Sequence, residues 1–194
     1  MPSSRPDKSI TLDKPLILSS PAFTNGEDLP RIYTADGSDL SPPLHWNGVP
    51  GKTSSFVLFF EDLGSDEIHL VHWLLFNIPA NVRGLPAGVQ GGSPCLTNGS
   101  RQGMCWGIGE FDQLGYHGPT STSYRFPPAQ QRQNPRRYLR FSLIALDIQL
   151  ALPVGASPLH VRQEMNGHQL AKANLACLYG CKSQLMSCNH ASAD

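Results

Sequence analysis

Several groups of side chains in this sequence have the types and spacing to do chemistry. Glu61-Asp62 closes an apolar run, SSFVLFFED (54–62), and His72 sits inside the next one, HLVHWLLFNI (69–78). Acids at the end of a buried strand need partners or solvent, because an unpaired buried charge is costly. On a regular strand His72 would share a face with Leu70, Leu74, Phe76 and Ile78. An imidazole on such a face is most often a hydrogen-bonded core residue. With Asp62 beside it, the pair would become an acid–imidazole cup able to bind a polar head group. Gly115-Tyr116-His117-Gly118-Pro119 frames a tyrosine and a histidine with glycines. Such a loop is either a plain turn or a way to bring backbone amides up to an anion. Arg132, Arg136, Arg137 and Arg140 make either a solvated edge or a phosphate contact.

Other groups are weaker. In Asp36–Trp46 the pair Pro42-Pro43 fixes an extended turn, because each proline restricts itself and the residue before it. Cys177, Cys181, Cys188 and His190 match no common zinc spacing. Cys105 and His117 are types suited to nucleophile and base, but nothing in the sequence places them together. The glycine-rich phosphate loops, the GxSxG elbow, HExxH and paired CxxC motifs are all missing, which lowers the expectation of catalysis. No metal site, no cofactor and no enzymatic activity are expected.

The chain has 194 residues, with 15 Lys+Arg against 15 Asp+Glu, so its formal charge is zero. That balance argues against a broad footprint for nucleic acid or an anionic membrane. No apolar run approaches the ~20 residues of a spanning helix. The amino-terminal residues carry no sustained apolar segment of the secretory kind. The 5 cysteines are odd in number and unevenly spaced, which fits a reducing compartment. A cytoplasmic location is therefore expected.

The elements that must position these residues are mostly strands. Gly (18) and Pro (17) are numerous enough to favour many turns and short strands over long helices. Strands are expected over 54–62, 69–78 and 137–147, with a short one at 32–34. The first two are apolar on both faces, which implies a central sheet covered by other layers. Residues 86–134 read as the least regular part. Ser157-Pro158 predicts a helix start, with a helix over 158–166 ending at Gly167 and a second over 168–179 ending at Gly180. The organisation expected is a loose segment 1–14, one domain over 15–180 and a polar tail over 181–194.

Taken in order, these pieces resemble the phosphatidylethanolamine-binding protein family, in its bacterial Raf-kinase-inhibitor-like branch. The resemblance is carried by IYTADGSDLSPPLHWNGVPG (32–51), the strand ending at 61–62, VHWLLFNIPANVRGLPAG (71–88), LGYHGP (114–119), RRYLRFSLIALD (136–147) and MNGHQLAKANLACLYG (165–180). It implies a mainly β fold: a central antiparallel β-sandwich with a few peripheral and C-terminal helices. It also implies a small pocket for phosphate-like or acetate-like anions. Carried over by position, the pocket residues are Asp62, His72, Gly118, Pro119 and Tyr138, with Arg136 where the family has a histidine. Arg137 matches the family arginine. Leu63, Gly64 and Ser65 depart from the family's Asp-Pro-Asp-Ala-Pro loop, with Asp66 as a substitute for its second aspartate. In this picture Asp62 fixes the tautomer of His72, His72 and the loop amides donate to the anion, and Tyr138 caps the pocket. The function implied is non-enzymatic binding of a small anionic or phosphorylated head group. The alternative is a kinase-inhibitor-like interaction protein whose pocket is vestigial. A protein partner and a homodimer are the macromolecular contacts the resemblance allows.

Overall fold

Eight consecutive residues, Ser55–Asp62, form strand β3, and every one of them is buried. They are the middle of a computed structural model that describes residues 14–63, 70–89, 91–106, 112–121 and 136–180. Before β3 come β1 (Ile17–Ser19) and β2 (Leu44–Asn47); after it come β4 (Leu70–Pro79), β5 (Gly84–Leu85), β6 (Arg101–Gln102), β7 (Met104–Trp106), β8 (Asp112–Leu114), β9 (Arg136–Leu146) and β10 (Gln169–Gly180). A five-stranded sheet runs β10-β9-β3-β4-β6, a three-stranded sheet runs β1-β2-β5, and β7 pairs with β8. All of these pairings are antiparallel.

The uniform burial of β3 has a simple cause. Successive side chains leave opposite faces of the sheet. Phe56, Leu58 and Phe60 join Leu18, Leu44 and Trp46 in a core against the smaller sheet. Val57 and Phe59 join Val161, Met165 and Leu150 in a second core on the other side. The mainly β, antiparallel architecture expected from the sequence is the one observed. Among the described residues, no helix is long and apolar enough to cross a membrane.

Two local expectations are corrected. The strand expected at 32–34 is a 3-10 turn, Arg31–Tyr33. The second carboxy-terminal helix, expected over 168–179, is the long strand β10. Its alanines and leucines give helix propensity, but that preference is only a few tenths of a kcal/mol per residue. Pairing with β9 runs from Gln169↔Leu146 to Gly180↔Arg136 and satisfies an edge that would otherwise leave its N–H and C=O groups unpaired. Ala173, Leu175 and Cys177 are buried on one face, a period of two. The first helix does form, as Pro158–Glu164. Ser157 caps it by accepting the His160 N–H at 3.3 Å. The stretch expected to be irregular contributes the short strands β6, β7 and β8. The amino-terminal segment through residue 13 and the tail at 181–194 lie outside the described residues.

Candidate functional site

Alternation along β3 splits the two terminal acids. Glu61 goes with Phe59 to one side of the sheet, where it meets Arg162 and lies 3.9 Å from Arg140. Asp62 goes with Phe60 to the other side. In register it faces Leu139. Arg137, two residues from Leu139, therefore shares its face, and Arg137 Nη1 lies 3.0 Å from Asp62 Oδ2. The Arg137 Nη2 group donates to the Thr120 carbonyl at 3.1 Å, and its guanidinium covers the Tyr179 ring at 5.0 Å. The Tyr179 hydroxyl in turn donates to Asp36.

His72 arrives on this same face through an irregularity. Phe60 pairs with Trp73, but Glu61 pairs with Val71, so His72 is an extra residue in β4. Such a bulge re-aims a side chain. It turns His72 away from Leu74 and Phe76, the neighbours that strict alternation assigns, and toward Phe60, whose ring centroid is 5.4 Å away. Phe60 is itself stacked on Phe141 at 4.0 Å and on Tyr116 at 5.7 Å. Trp73, next in the chain, packs edge-on against Tyr116.

The loop after β8 closes over the histidine. The His117 N–H donates to the His72 carbonyl at 2.9 Å, and His72 Nδ1 lies 2.9 Å from the His117 carbonyl. A carbonyl can only accept, so Nδ1 carries the proton and Nε2 keeps its lone pair. Burial, reinforced by the Arg137 guanidinium, lowers the His72 pKa to about 3. His72 is thus neutral in the folded protein at ordinary pH. The tautomer is set by the His117 carbonyl rather than by Asp62.

Asp39 anchors that loop. Its Oδ1 accepts the Gly118 N–H at 2.6 Å, and its Oδ2 lies 3.3 Å from His117 Nδ1. Asp39 holds a left-handed backbone, φ 53°, a conformation that aspartate tolerates better than most residues. Gly118 is required by close approach, since a Cβ there would stand 2.5 Å from the Tyr33 carbonyl oxygen. Gly118→Ala is expected to cost about 1–3 kcal/mol through overpacking. Gly51→Ala, where nothing lies within 4 Å, serves as the control in thermal unfolding and should be near neutral.

The expected site residues therefore separate. Asp62, His72, Gly118 and Pro119 belong to one neighbourhood, completed by Arg137, His117 and Asp39. Tyr138 does not join them. It alternates with Arg137, points to the other side of β9 and is 65% exposed. Arg136 is also turned elsewhere, into an ion pair with Asp28. The Gly118 amide is spent on Asp39, so it is no donor for an anion. The signal for Arg137 was present in the sequence, because it shares parity with Leu139 and Phe141. The Cys105 thiol is buried and donates to the Gly115 carbonyl at 2.7 Å, while His117 turns its ring to Asp39. Cys177 is buried, which pushes its thiol up to about 12. Cys181, Cys188, His190, Asp66 and Arg132 lie outside the described residues. Beside the site, a cavity of about 320 Å³ is lined by Leu29, Arg31, Thr34, Asp36, Leu178 and Tyr179, among others.

The family model described as phosphatidylethanolamine-binding protein matches residues 19–180, which takes in every element of this site. The chain belongs to the phosphatidylethanolamine-binding protein family. A UPF0098 protein of Methanothermobacter thermautotrophicus is 38% identical over 162 residues, covering 84% of this chain and 97% of the relative. The UPF0098 protein YbhB of Escherichia coli is 31% identical, covering 84% of this chain and 98% of its own. Among solved structures, a phosphatidylethanolamine-binding protein homologue of Chlamydia trachomatis superposes with a TM-score of 0.70 at 26% identity, covering 87% of this chain and 99% of that one. These matches place the chain in the branch of the family that includes YbhB.

Proposed function

We propose that this protein is a non-enzymatic binding protein of its family, holding a small anionic or phosphorylated head group beside His72. The observation that carries the reading is the bulge in β4. It sets a neutral imidazole, only 8% exposed, on the same face as the Asp62–Arg137 pair. Bulges of this kind are over-represented at functional sites. Packing against Phe60, itself stacked on Tyr116 and Phe141, and the bond from Nδ1 to the His117 carbonyl hold the ring in place, which keeps the ordering cost of binding low. Arg137 supplies the positive charge and the polar face of the site. The free thiols of Cys95, Cys105 and Cys177 support a reducing, cytoplasmic setting.

Calorimetry with phosphoethanolamine at low salt tests the reading. His72→Ala is expected to weaken binding roughly tenfold or more, consistent with loss of one buried polar contact. Unchanged affinity in the variant would place the ligand elsewhere. The second reading, an interaction protein, draws on the outward Tyr138, 65% exposed and flanked by Arg136 and Arg140. Exposed aromatic and arginine side chains are the types enriched at protein interfaces. Partner binding that survives His72→Ala but falls with Tyr138→Ala would favour it.

A further inference from the structure

The opposite face of the large sheet carries positive charge that its own residues do not balance. Arg140 stands three places after Arg137 and therefore on the other face of β9. Residues paired directly across neighbouring strands share a face. Arg140 pairs with Glu61 of β3, Ser142 pairs with Asn174 of β10, and Ile144 pairs with Lys172 of β10. The helix Pro158–Glu164 covers part of this face and adds Arg162, whose guanidinium bonds to Glu61 and lies 4.2 Å from the centre of the Phe59 ring.

Three cations thus share one carboxylate. Glu61 has a side chain only 2% exposed, and its Oε1 is taken by Arg162. Its Oε2 lies 3.9 Å from Arg140, beyond hydrogen-bond length. Arg140 Nε has no hydrogen-bond partner among the described residues. Partial burial lowers the Lys172 pKa; the Arg140 and Arg162 guanidinium groups lower it further, against Glu61. Between Arg140 and Lys172, the Ser142 hydroxyl donates to Asn174 Oδ1 at 2.9 Å, which leaves the Asn174 amide nitrogen as a further donor. The face therefore offers donors and an excess of two positive charges, with its one acid already engaged. Like charges held this close repel unless an anion joins them.

We propose that this face is a second binding site, separate from the head-group neighbourhood, for a compact tetrahedral dianion of the sulfate or phosphate kind. Arg140, Arg162 and Lys172 clasp the ion, and Asn174 donates to one of its oxygens. Glu61 presets the two guanidinium groups before the ion arrives, which lowers the ordering cost of binding. A dianion neutralises the excess charge, whereas a monoanion leaves one charge unpaired.

Calorimetry on the full chain, at low salt and near neutral pH, tests the site with sodium sulfate as the probe. Saturable binding is expected, with acetate at least about tenfold weaker because it carries half the charge. Lys172→Gln is expected to weaken sulfate roughly tenfold, the scale of one charge-assisted contact. Lys172 is exposed, so that variant should fold normally, and Lys172→Arg should retain binding. Arg83→Gln removes the same charge from the turn before β5, in the smaller sheet, and should leave affinity unchanged; so should His72→Ala. Absence of sulfate binding, or full affinity in Lys172→Gln, would overturn the proposal. Equal losses in Lys172→Gln and Arg83→Gln would reduce it to attraction by overall charge. Loss of binding in His72→Ala with none in Lys172→Gln would put the ion at the head-group neighbourhood instead.

Discussion

Phe60→Ala is expected to lower the stability of the protein by about 3–5 kcal/mol, as for other large-to-small changes in closely packed cores. Phe60 is fully buried. Its ring is stacked on those of Phe141 and Tyr116 and packs against His72. The substitution removes apolar area from the core and leaves a cavity that three rigid rings cannot easily collapse to fill. It should also loosen His72. Phe59→Ala is the matched control: Phe59 is equally buried but belongs to the core on the opposite face of β3. Urea unfolding should show comparable losses for the two variants. Head-group binding should fall only with Phe60→Ala. Equal losses of binding in both would mean that general destabilisation, rather than support of His72, is what matters.

The second large effect is a loss of stability in mild acid that originates at His72. Its folded pKa is lowered from 6.5 to about 3. Between those two values the unfolded chain binds a proton that the folded chain does not, so acid favours unfolding. The contribution is fully present above the unfolded pKa and is lost as pH falls toward the folded one. It amounts to a loss of about 2 kcal/mol by about pH 5 and about 3 kcal/mol by about pH 4. Carboxylates elsewhere add their own acid dependence, so the measurement is a difference. Denaturant unfolding across this range, on the wild type and on His72→Asn, should show a steeper fall for the wild type. Asparagine can still donate to the His117 carbonyl but cannot titrate. Parallel curves would show that His72 protonates freely in the folded state, so that burial does not hold its imidazole neutral.

The two effects share a cause. The site is built on the core: the aromatic stack that stabilises the sheet also desolvates the imidazole. If the proposed head group binds beside His72, binding and stability are coupled, because a ligand of the folded state alone stabilises the fold by mass action. The site is also fed from distant parts of the chain. Asp39 and His117 are joined across 78 positions, and Asp62 meets Arg137 only because β3 and β9 are neighbours in the sheet.

How much of this could be read from the residues alone follows from the range of the forces involved. The central strands were legible because apolar runs on both faces are local in sequence: β3, β4 and β9 lie where the pattern puts them. So was the start of the helix, since Ser157 and Pro158 act within one turn. The family was legible too, because its motifs lie in order along the chain. Other features depended on partners far away in sequence. The segment 169–180 carries residues that suit a helix, and only the open edge of β9 makes it a strand. Period-two alternation puts His72 on the wrong face because it assumes an unbroken register, and a bulge is a property of a pair of strands rather than of one. Motif position puts Tyr138 and Arg136 at the pocket, but the pleat of β9 turns Tyr138 out to solvent and Arg136 is ion-paired with Asp28. The residue types at the site were determined by the sequence itself. Which of them meet, and which nitrogen of His72 carries the proton, was decided only by the tertiary structure, because a hydrogen bond and the burial around it exist only once distant segments have packed together.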